Sequence, residues 1–251
     1  MRPGPDSRRF AVHDHRPGAA PGGARLEPMA LEVRRTGGGA AAPPHEGASG
    51  HDGRLLRVER HACLAVVSED DSADRFLDRL LDDDGGPGRA VTVHGVDPRT
   101  EPDAVRRLVG VVPSGMPLPE GAVHDALVGT ALRQGLPPET AVERATDLTA
   151  ALGLRSVERT PVAALTPGQR SRTAVGCALL HVPKLLLLCR PLDDVDEVSE
   201  QILHRVLRRY AASTGTVVFS TGSAAVARRM TDRLFMVCDG QVRCGSLPTA
   251  R

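Results

Sequence analysis

The chain has 251 residues, 41% of them hydrophobic, enough to bury a full core as one domain or as a core with a subdomain. Its formal net charge of +1, its 2% aromatic content and its lack of tryptophan give no reason to expect nucleic acid or an anionic membrane as partner, and argue against a base-stacking platform. The longest aliphatic run, around Leu185 to Leu188, has the length of a buried strand and is far too short to span a bilayer.

Residues 1–28 are rich in Pro, Gly and Arg and show little periodicity, so a disordered extension is expected there. They contain no apolar stretch of the kind a secretory signal needs. Leu31 to Arg35 alternates like a short strand, ahead of a Gly/Ala/Pro-rich loop over 36–53. Leu55 to Glu59 and Ala62 to Val67 read as two more strands, the second continuously apolar and therefore central in a sheet. Ala73 to Leu81 is helical, with Phe76, Leu77, Leu80 and Leu81 on one face. Ala90 to His94 forms another strand, and Val105 to Val112 leads into a further one.

From Gly121 to Leu165 the pattern turns helical: Val123, Leu127 and Leu132 mark one helix, and Ala141, Ala145, Leu148 and Leu152 a second. A helix from Thr166, a strand at Leu185, a helix from Val198 to Tyr210, a strand from Thr216 to Ser220 and a helix from Ala224 to Met230 follow. Leu234 to Cys238 and Gln241 to Cys244, joined by Asp239-Gly240, read as a hairpin. Strands alternating with helices predict an α/β layered core, and the mid-chain helical insert a second lobe.

The five cysteines include no C-x-x-C pair, and most lie in aliphatic segments, as buried reduced thiols would. His61, His94, His124 and His204 have no acidic or thiol partner at ligand spacing. Arg205, Arg208, Arg209 and Tyr210 read as a solvated helix face.

Residues 165–196 carry the most information. Leu165-Thr166-Pro167-Gly168-Gln169-Arg170 opens an alanine-rich helical stretch, with Thr166 as N-cap, Pro167 at the first helical position and Gln169 in capping-box spacing. Then come Leu185-Leu186-Leu187-Leu188-Cys189-Arg190-Pro191-Leu192-Asp193-Asp194-Val195-Asp196. Two outlying segments add to the pattern: Arg106-Arg107-Leu108-Val109-Gly110-Val111-Val112-Pro113, and Thr231-Asp232-Arg233-Leu234 continuing to Asp239-Gly240-Gln241-Val242. In order and spacing these resemble the ATP-binding cassette (ABC) ATPase family: its signature motif L-S-G-G-Q-R, its Walker B strand with D-E-P-x-x-x-L-D, the strand before its Q-loop, and its C-terminal hairpin. The resemblance spans about 29–246 and leaves 247–251 as a tail. It implies a P-loop NTPase-like (RecA-like) α/β core with an N-terminal β subdomain, and a helical subdomain over about 115–165.

In this family a loop of the form G-x-x-G-x-G-K-[ST] lets backbone N–H groups converge on phosphates while its lysine reaches the β and γ groups. The corresponding span here is Ser68-Glu69-Asp70-Asp71-Ser72-Ala73-Asp74-Arg75. It has no glycine, Asp74 stands in the lysine position, and Arg75 replaces the Ser/Thr that would hold Mg²⁺. The single lysine of the chain, Lys184, precedes a strand elsewhere. Glu69, Asp70, Asp71 and Asp74 would face a polyanion, and each carboxylate–phosphate pair about 4 Å apart costs on the order of a few kcal/mol at an effective dielectric of about 20.

The other positions that the resemblance makes functional are replaced too. Cys189 stands for the Mg²⁺-binding aspartate, and Arg190 for the glutamate that would polarise the attacking water. Ser114 stands for the Q-loop glutamine and Gly222 for the switch histidine, and no aromatic residue between Phe10 and Phe76 offers an adenine stack. Thr166, Pro167 and Gly168 are either a plain helix cap or the remnant of a signature that meets the γ-phosphate of an opposite subunit. Asp196 is either the D-loop aspartate or a solvated loop acid. Asp74 and Arg190 exchange the family's charges on loops that lie side by side in this fold. Arg190 therefore either pairs with Asp74 or Asp71, filling the empty nucleotide site as an internal ion pair, or the two charges remain independently solvated.

The expectation is a degenerate ABC transporter ATP-binding subunit, cytoplasmic or held at the inner face of the membrane through a permease, without direct membrane insertion. It would use neither of the family's cofactors, ATP and Mg²⁺, and would not hydrolyse ATP. Its partners would be a permease and a second cassette, with the region around Ser114 and the helices from Gly121 onward facing the permease. The alternative is a half-site in a heterodimer, where Thr166 and Gly168 support hydrolysis at an intact partner's loop.

Overall fold

The structure is a computed structural model and describes residues 29–35, 54–81, 89–231, 233–238 and 241–246. The extension over 1–28, the loop over 36–53, the Asp239-Gly240 turn and the tail over 247–251 lie outside the described residues.

A six-stranded sheet forms the centre, in the order β5 (Val109–Val112), β6 (Leu185–Leu188), β7 (Thr216–Thr221), β3 (Cys63–Val67), β8 (Arg233–Cys238), β9 (Gln241–Ser246). Its first five strands run parallel, and β9 closes it antiparallel to β8. Such strands need apolar residues on both faces, which is why β6 reads as four leucines. The side-chain period of two divides them cleanly. Ala65, Val67, Leu186, Leu188 and Phe219 enter one core cluster, and Leu64, Val66, Leu185, Leu187 and Val218 the other.

The second cluster is covered by an antiparallel sheet of β2 (Arg54–Val58), β1 (Leu31–Arg35) and β4 (Arg89–Val93), and by α1 (Ser72–Asp78). The first cluster extends into the helical lobe. There α3 (Val123–Arg133) and α4 (Pro138–Ala151) pack on α5 (Pro167–Leu179), which also lies against the sheet. Helices α6 (Glu197–Ser213) and α7 (Ala224–Met230) complete that layer. Gly110 of β5 allows α5 to approach closely, since a Cβ there would sit 2.2 Å from the Ala178 carbonyl oxygen.

Three sequence expectations are corrected. Residues Pro102–Leu108 form a helix, α2, that precedes β5; Pro102 starts it, Asp103 sits in its first turn and Arg106 and Arg107 in its last, in accord with the helix dipole. Its single buried residue, Val105, leaves no apolar stripe to read. Leu132 is 44% exposed; Val123, Ala126, Leu127 and Ala131 bury the α3 face instead. Tyr210 is buried, its hydroxyl donating to the Pro183 carbonyl, so it leaves the solvated face assigned to the arginines beside it. Among the described residues no helix is long and apolar enough to cross a membrane, and no group of three or more His, Cys, Asp or Glu is placed to hold a metal ion.

Candidate functional site

The carboxyl ends of β3, β5, β6 and β7 open onto one side of the sheet, where open α/β folds bind their ligands. Ser68 to Asp71 follow β3, Ser114 follows β5, Cys189 and Arg190 follow β6, and Gly222 follows β7. Four separate stretches of sequence thus meet at one place.

The loop after β3 folds around its own carboxylate. Asp70 accepts from the Ser72 N–H (2.8 Å), the Ser72 hydroxyl (2.8 Å) and the Ser68 hydroxyl, directly ahead of α1. An anion is thereby supplied from within the chain to the first N–H of that helix, Ser72. The Ser68 hydroxyl foremost, then the Ser72 donors, hold the Asp70 carboxyl down to about 2. Arg75 turns back toward the same group, 3.2 Å from the Ser72 hydroxyl and 3.8 Å from Asp70. Glu69 and Asp71 are exposed and Ala73 is buried.

Asp74, one turn further on, is 3% exposed and needs partners. Arg190 supplies them: its Nε donates to Asp74 Oδ2 at 2.6 Å, and its Nη2 to the Asp70 carbonyl at 2.8 Å and to Asp71 Oδ1 at 3.4 Å. The pairing that the exchanged charges suggested is present, with both acceptors. The Ser220 hydroxyl donates to the other Asp74 oxygen. Arg190 adopts a positive φ of 44°, uncommon for a residue with a Cβ, and its N–H is held by the Ser220 hydroxyl at 3.0 Å. Its hydrogen bond to Asp74 raises the guanidinium further above its ordinary range.

Asp193 belongs to the same network, 3.7 Å from Arg190 Nη1 and accepting from the Thr221 hydroxyl (2.5 Å) and the Gly222 N–H (2.9 Å). Gly222 leaves room for the guanidinium, since a Cβ there would lie 3.3 Å from Arg190 Nη1. The Cys189 thiol is buried and donates to Asp78 Oδ1 at 3.4 Å, and the Ser114 N–H donates to the same oxygen at 3.3 Å. Burial first, and the Asp78 charge second, push the thiol far up, so it stays protonated. Sequence reasoning missed Asp193, Asp78 and Ser220. Ser220 had a signal, a hydroxyl at the end of a wholly buried strand; Asp193 and Asp78 had none beyond their charge.

At the start of α5 the capping box is formed: Gln169 N–H donates to Thr166 Oγ1 (3.3 Å) and Thr166 N–H to Gln169 Oε1 (3.0 Å). Thr166 and Pro167 are exposed, while Gly168 packs on the start of α6, where a Cβ would meet Asp196 Oδ2 at 2.2 Å. Asp196 caps α6 by accepting the Ser199 N–H at 2.9 Å. It is an exposed helix cap whose carboxylate lies beside Gly168. Between these parts remains a cavity of about 270 Å³ lined by Asp74, Ser114, Pro167, Arg170, Cys189 and Arg190, among others. That is below the usual range of ligand pockets, about 300–1,000 Å³. A larger concavity, about 630 Å³, lies elsewhere, between α2, the β5 edge and α3.

The whole arrangement, parallel sheet, β subdomain and helical lobe, recurs in solved structures. CbiO1 from Clostridium perfringens, part of the ABC transporter complex cbiONQ, superposes with a TM-score of 0.67 at 18% identity, over 88% of this chain and 89% of that one. An ATP-binding subunit of an ABC transporter does so with a TM-score of 0.67 at 19% identity, over 86% and 90%. The fold is that of an ABC ATPase. The homologues agree: the ABC transporter ATP-binding protein NatA of Bacillus subtilis (strain 168) is 23% identical over 194 residues, 74% of this chain and 77% of NatA. The daunorubicin/doxorubicin resistance ATP-binding protein DrrA of Streptomyces peucetius is 30% identical over 169 residues, 67% of this chain and 50% of DrrA, so the match spans half of that relative. No family model matches the chain. Within the ABC ATPase fold, the meeting place of Asp70, Asp74, Cys189 and Arg190 is the end of the sheet that the sequence resemblance assigned to the phosphate loop and Walker B strand.

Proposed function

We propose that this chain is an ABC transporter ATP-binding subunit that does not hydrolyse ATP and serves as a structural or regulatory partner of a permease, a second cassette, or both. The observation that carries the reading is the Arg190–Asp74 ion pair, side chains 31% and 4% exposed, lying across the strand ends. ATP and Mg²⁺ do not fit the residues present. The Ser72 N–H and hydroxyl at the start of α1 already serve Asp70, and the Arg190 donors already face Asp74, Asp71 and the Asp70 carbonyl. A triphosphate entering here would break these bonds and meet three carboxylates without a lysine. Cys189 puts a soft thiol, already donating to Asp78, where Mg²⁺ would need a hard carboxylate oxygen. The permease-facing surface in this reading is the region around Ser114 and the helices from Gly121 onward, beside the 630 Å³ groove lined by Val111, Arg106 and Arg133 among others.

The exposed, intact capping box at Thr166 favours a second reading, a half-site that supports an intact cassette in trans. Mixing the chain with such a cassette separates the two: a gain in ATP turnover that Thr166→Ala abolishes selects the half-site.

Thermal unfolding with and without millimolar Mg-ATP, beside an intact cassette as control, tests the main reading. No shift is expected. A site with a Kd one hundredth of the ligand concentration adds about 2.7 kcal/mol, a rise of several degrees, and that result overturns it.

A further inference from the structure

The link from β5 to α3, residues 113–122, is held from both lobes. On the core side, Asp78 of α1 accepts the Ser114 N–H at 3.3 Å. On the helical side, Arg170 of α5 donates its Nη2 to the Met116 carbonyl at 3.0 Å. The chain reverses between these two points through Gly115 and Met116, with φ of 75° and 45°, closed by a Met116 N–H to Pro113 carbonyl bond at 3.1 Å. Met116 and Leu118 pack against the core cluster shared by sheet and helices. Farther along, the Gly121 carbonyl accepts the Val162 N–H at 2.9 Å.

The covalent chain adds stiffness. Pro113, Pro117 and Pro119 each fix φ, and the residues before the last two are confined to extended conformations or pay for leaving them. Met116 precedes Pro117, so its left-handed backbone persists only because the flanking hydrogen bonds over-determine it. All the holding atoms belong to the chain, and none waits for a ligand: the other donor to Asp78 is the Cys189 thiol.

We infer that residues 113–122 form a rigid strut that fixes the helical lobe to the sheet in one arrangement without nucleotide. This rests on the functional reading above and deepens it. A subunit whose lobes do not move with ATP offers its partner a constant docking surface, because Pro113, Pro117 and Pro119 also line the 630 Å³ groove.

Hydrogen–deuterium exchange read by mass spectrometry on the full chain, free of nucleotide, decides the matter. The double variant Asp78→Ala/Arg170→Ala should exchange at least tenfold faster than the parent at the Ser114 and Met116 amides, which are hydrogen-bonded in this link, and over the first turn of α3, with β6 and β7 unchanged. A second variant, Pro117→Gly/Pro119→Gly, removes no hydrogen bond and should speed exchange at Met116 and the first turn of α3 alike, which keeps the test decisive if the first fails to fold. Fast exchange at Ser114 and Met116 already in the parent, or equal rates there in parent and proline variant, overturns the strut. Repeating the parent with millimolar Mg-ATP separates the two proposals: a change at the β3–α1 loop alone sinks the nucleotide-free reading and spares the strut.

Discussion

At the scale of single residues, the site is organised by one guanidinium. Arg190 joins the loop after β3 to the ends of β6 and β7, and the carboxylate it neutralises is almost fully buried. Removing one partner of such a pair strands the other, which costs more than the pair itself contributes. Arg190→Ala should therefore destabilise the chain by about 2–4 kcal/mol, somewhat less than the roughly 3–5 kcal/mol for fully buried pairs because the Arg190 side chain is 31% exposed. In thermal unfolding this is a fall of about 5–10 °C. Asp74→Asn in the Arg190→Ala background should recover part of it, and the double-mutant cycle should give a coupling above about 1 kcal/mol. A coupling near zero would mean that Arg190 is a solvated charge. The pairing was one of two readings open in the sequence, where two charges had changed sign on neighbouring loops, and the burial of Asp74 decided between them. Asp193 and Asp78 were not legible there, since nothing in their local sequence says which strand end they will face.

At the scale of elements, contacts between backbones matter most. β5 and α5 approach so closely at Gly110 that a methyl group would collide with the Ala178 carbonyl at 2.2 Å, with Leu186 Cδ2 at 2.8 Å and with Pro183 Cγ at 2.9 Å. A carbonyl in a helix cannot rotate away as a side chain can, so Gly110→Ala should destabilise the chain by more than the roughly 1–3 kcal/mol of ordinary overpacking and lower the melting temperature accordingly. Circular dichroism melts check this, and an unchanged melting temperature would show that the helix shifts freely. Most elements could be read from period and punctuation: the Thr166 cap, the leucine strand and the start and end of α7 all lie where the residues place them. Helix α2 could not, because one buried valine in seven residues leaves no periodic signal. Leu132 was assigned to the wrong face because small residues, Ala126 and Ala131, fill the positions where α3 meets its neighbours.

At the scale of the whole molecule, the two lobes share a core. One cluster runs from Ala65 and Phe219 in the sheet to Leu127, Ala141 and Leu152 in the helical lobe, with Val175 of α5 between. Lobes joined in this way should unfold together. Calorimetry should show a single transition with calorimetric and van't Hoff enthalpies in agreement, and two resolved transitions would show independent lobes.

By itself the sequence determined the architecture and the charge of the loop after β3: alternating apolar strands and helices specify the layered fold, and a loop with acids where the resembling family has glycines and lysine declares its charge in any arrangement. Only the tertiary structure decided what those acids do. Whether Asp74 is buried, whether Asp70 closes on the donors of α1, and which oxygens Arg190 reaches depend on four strand ends distant in sequence being brought together. Local propensity is set by neighbours along the chain, whereas a buried charge finds its partner only after the sheet has formed.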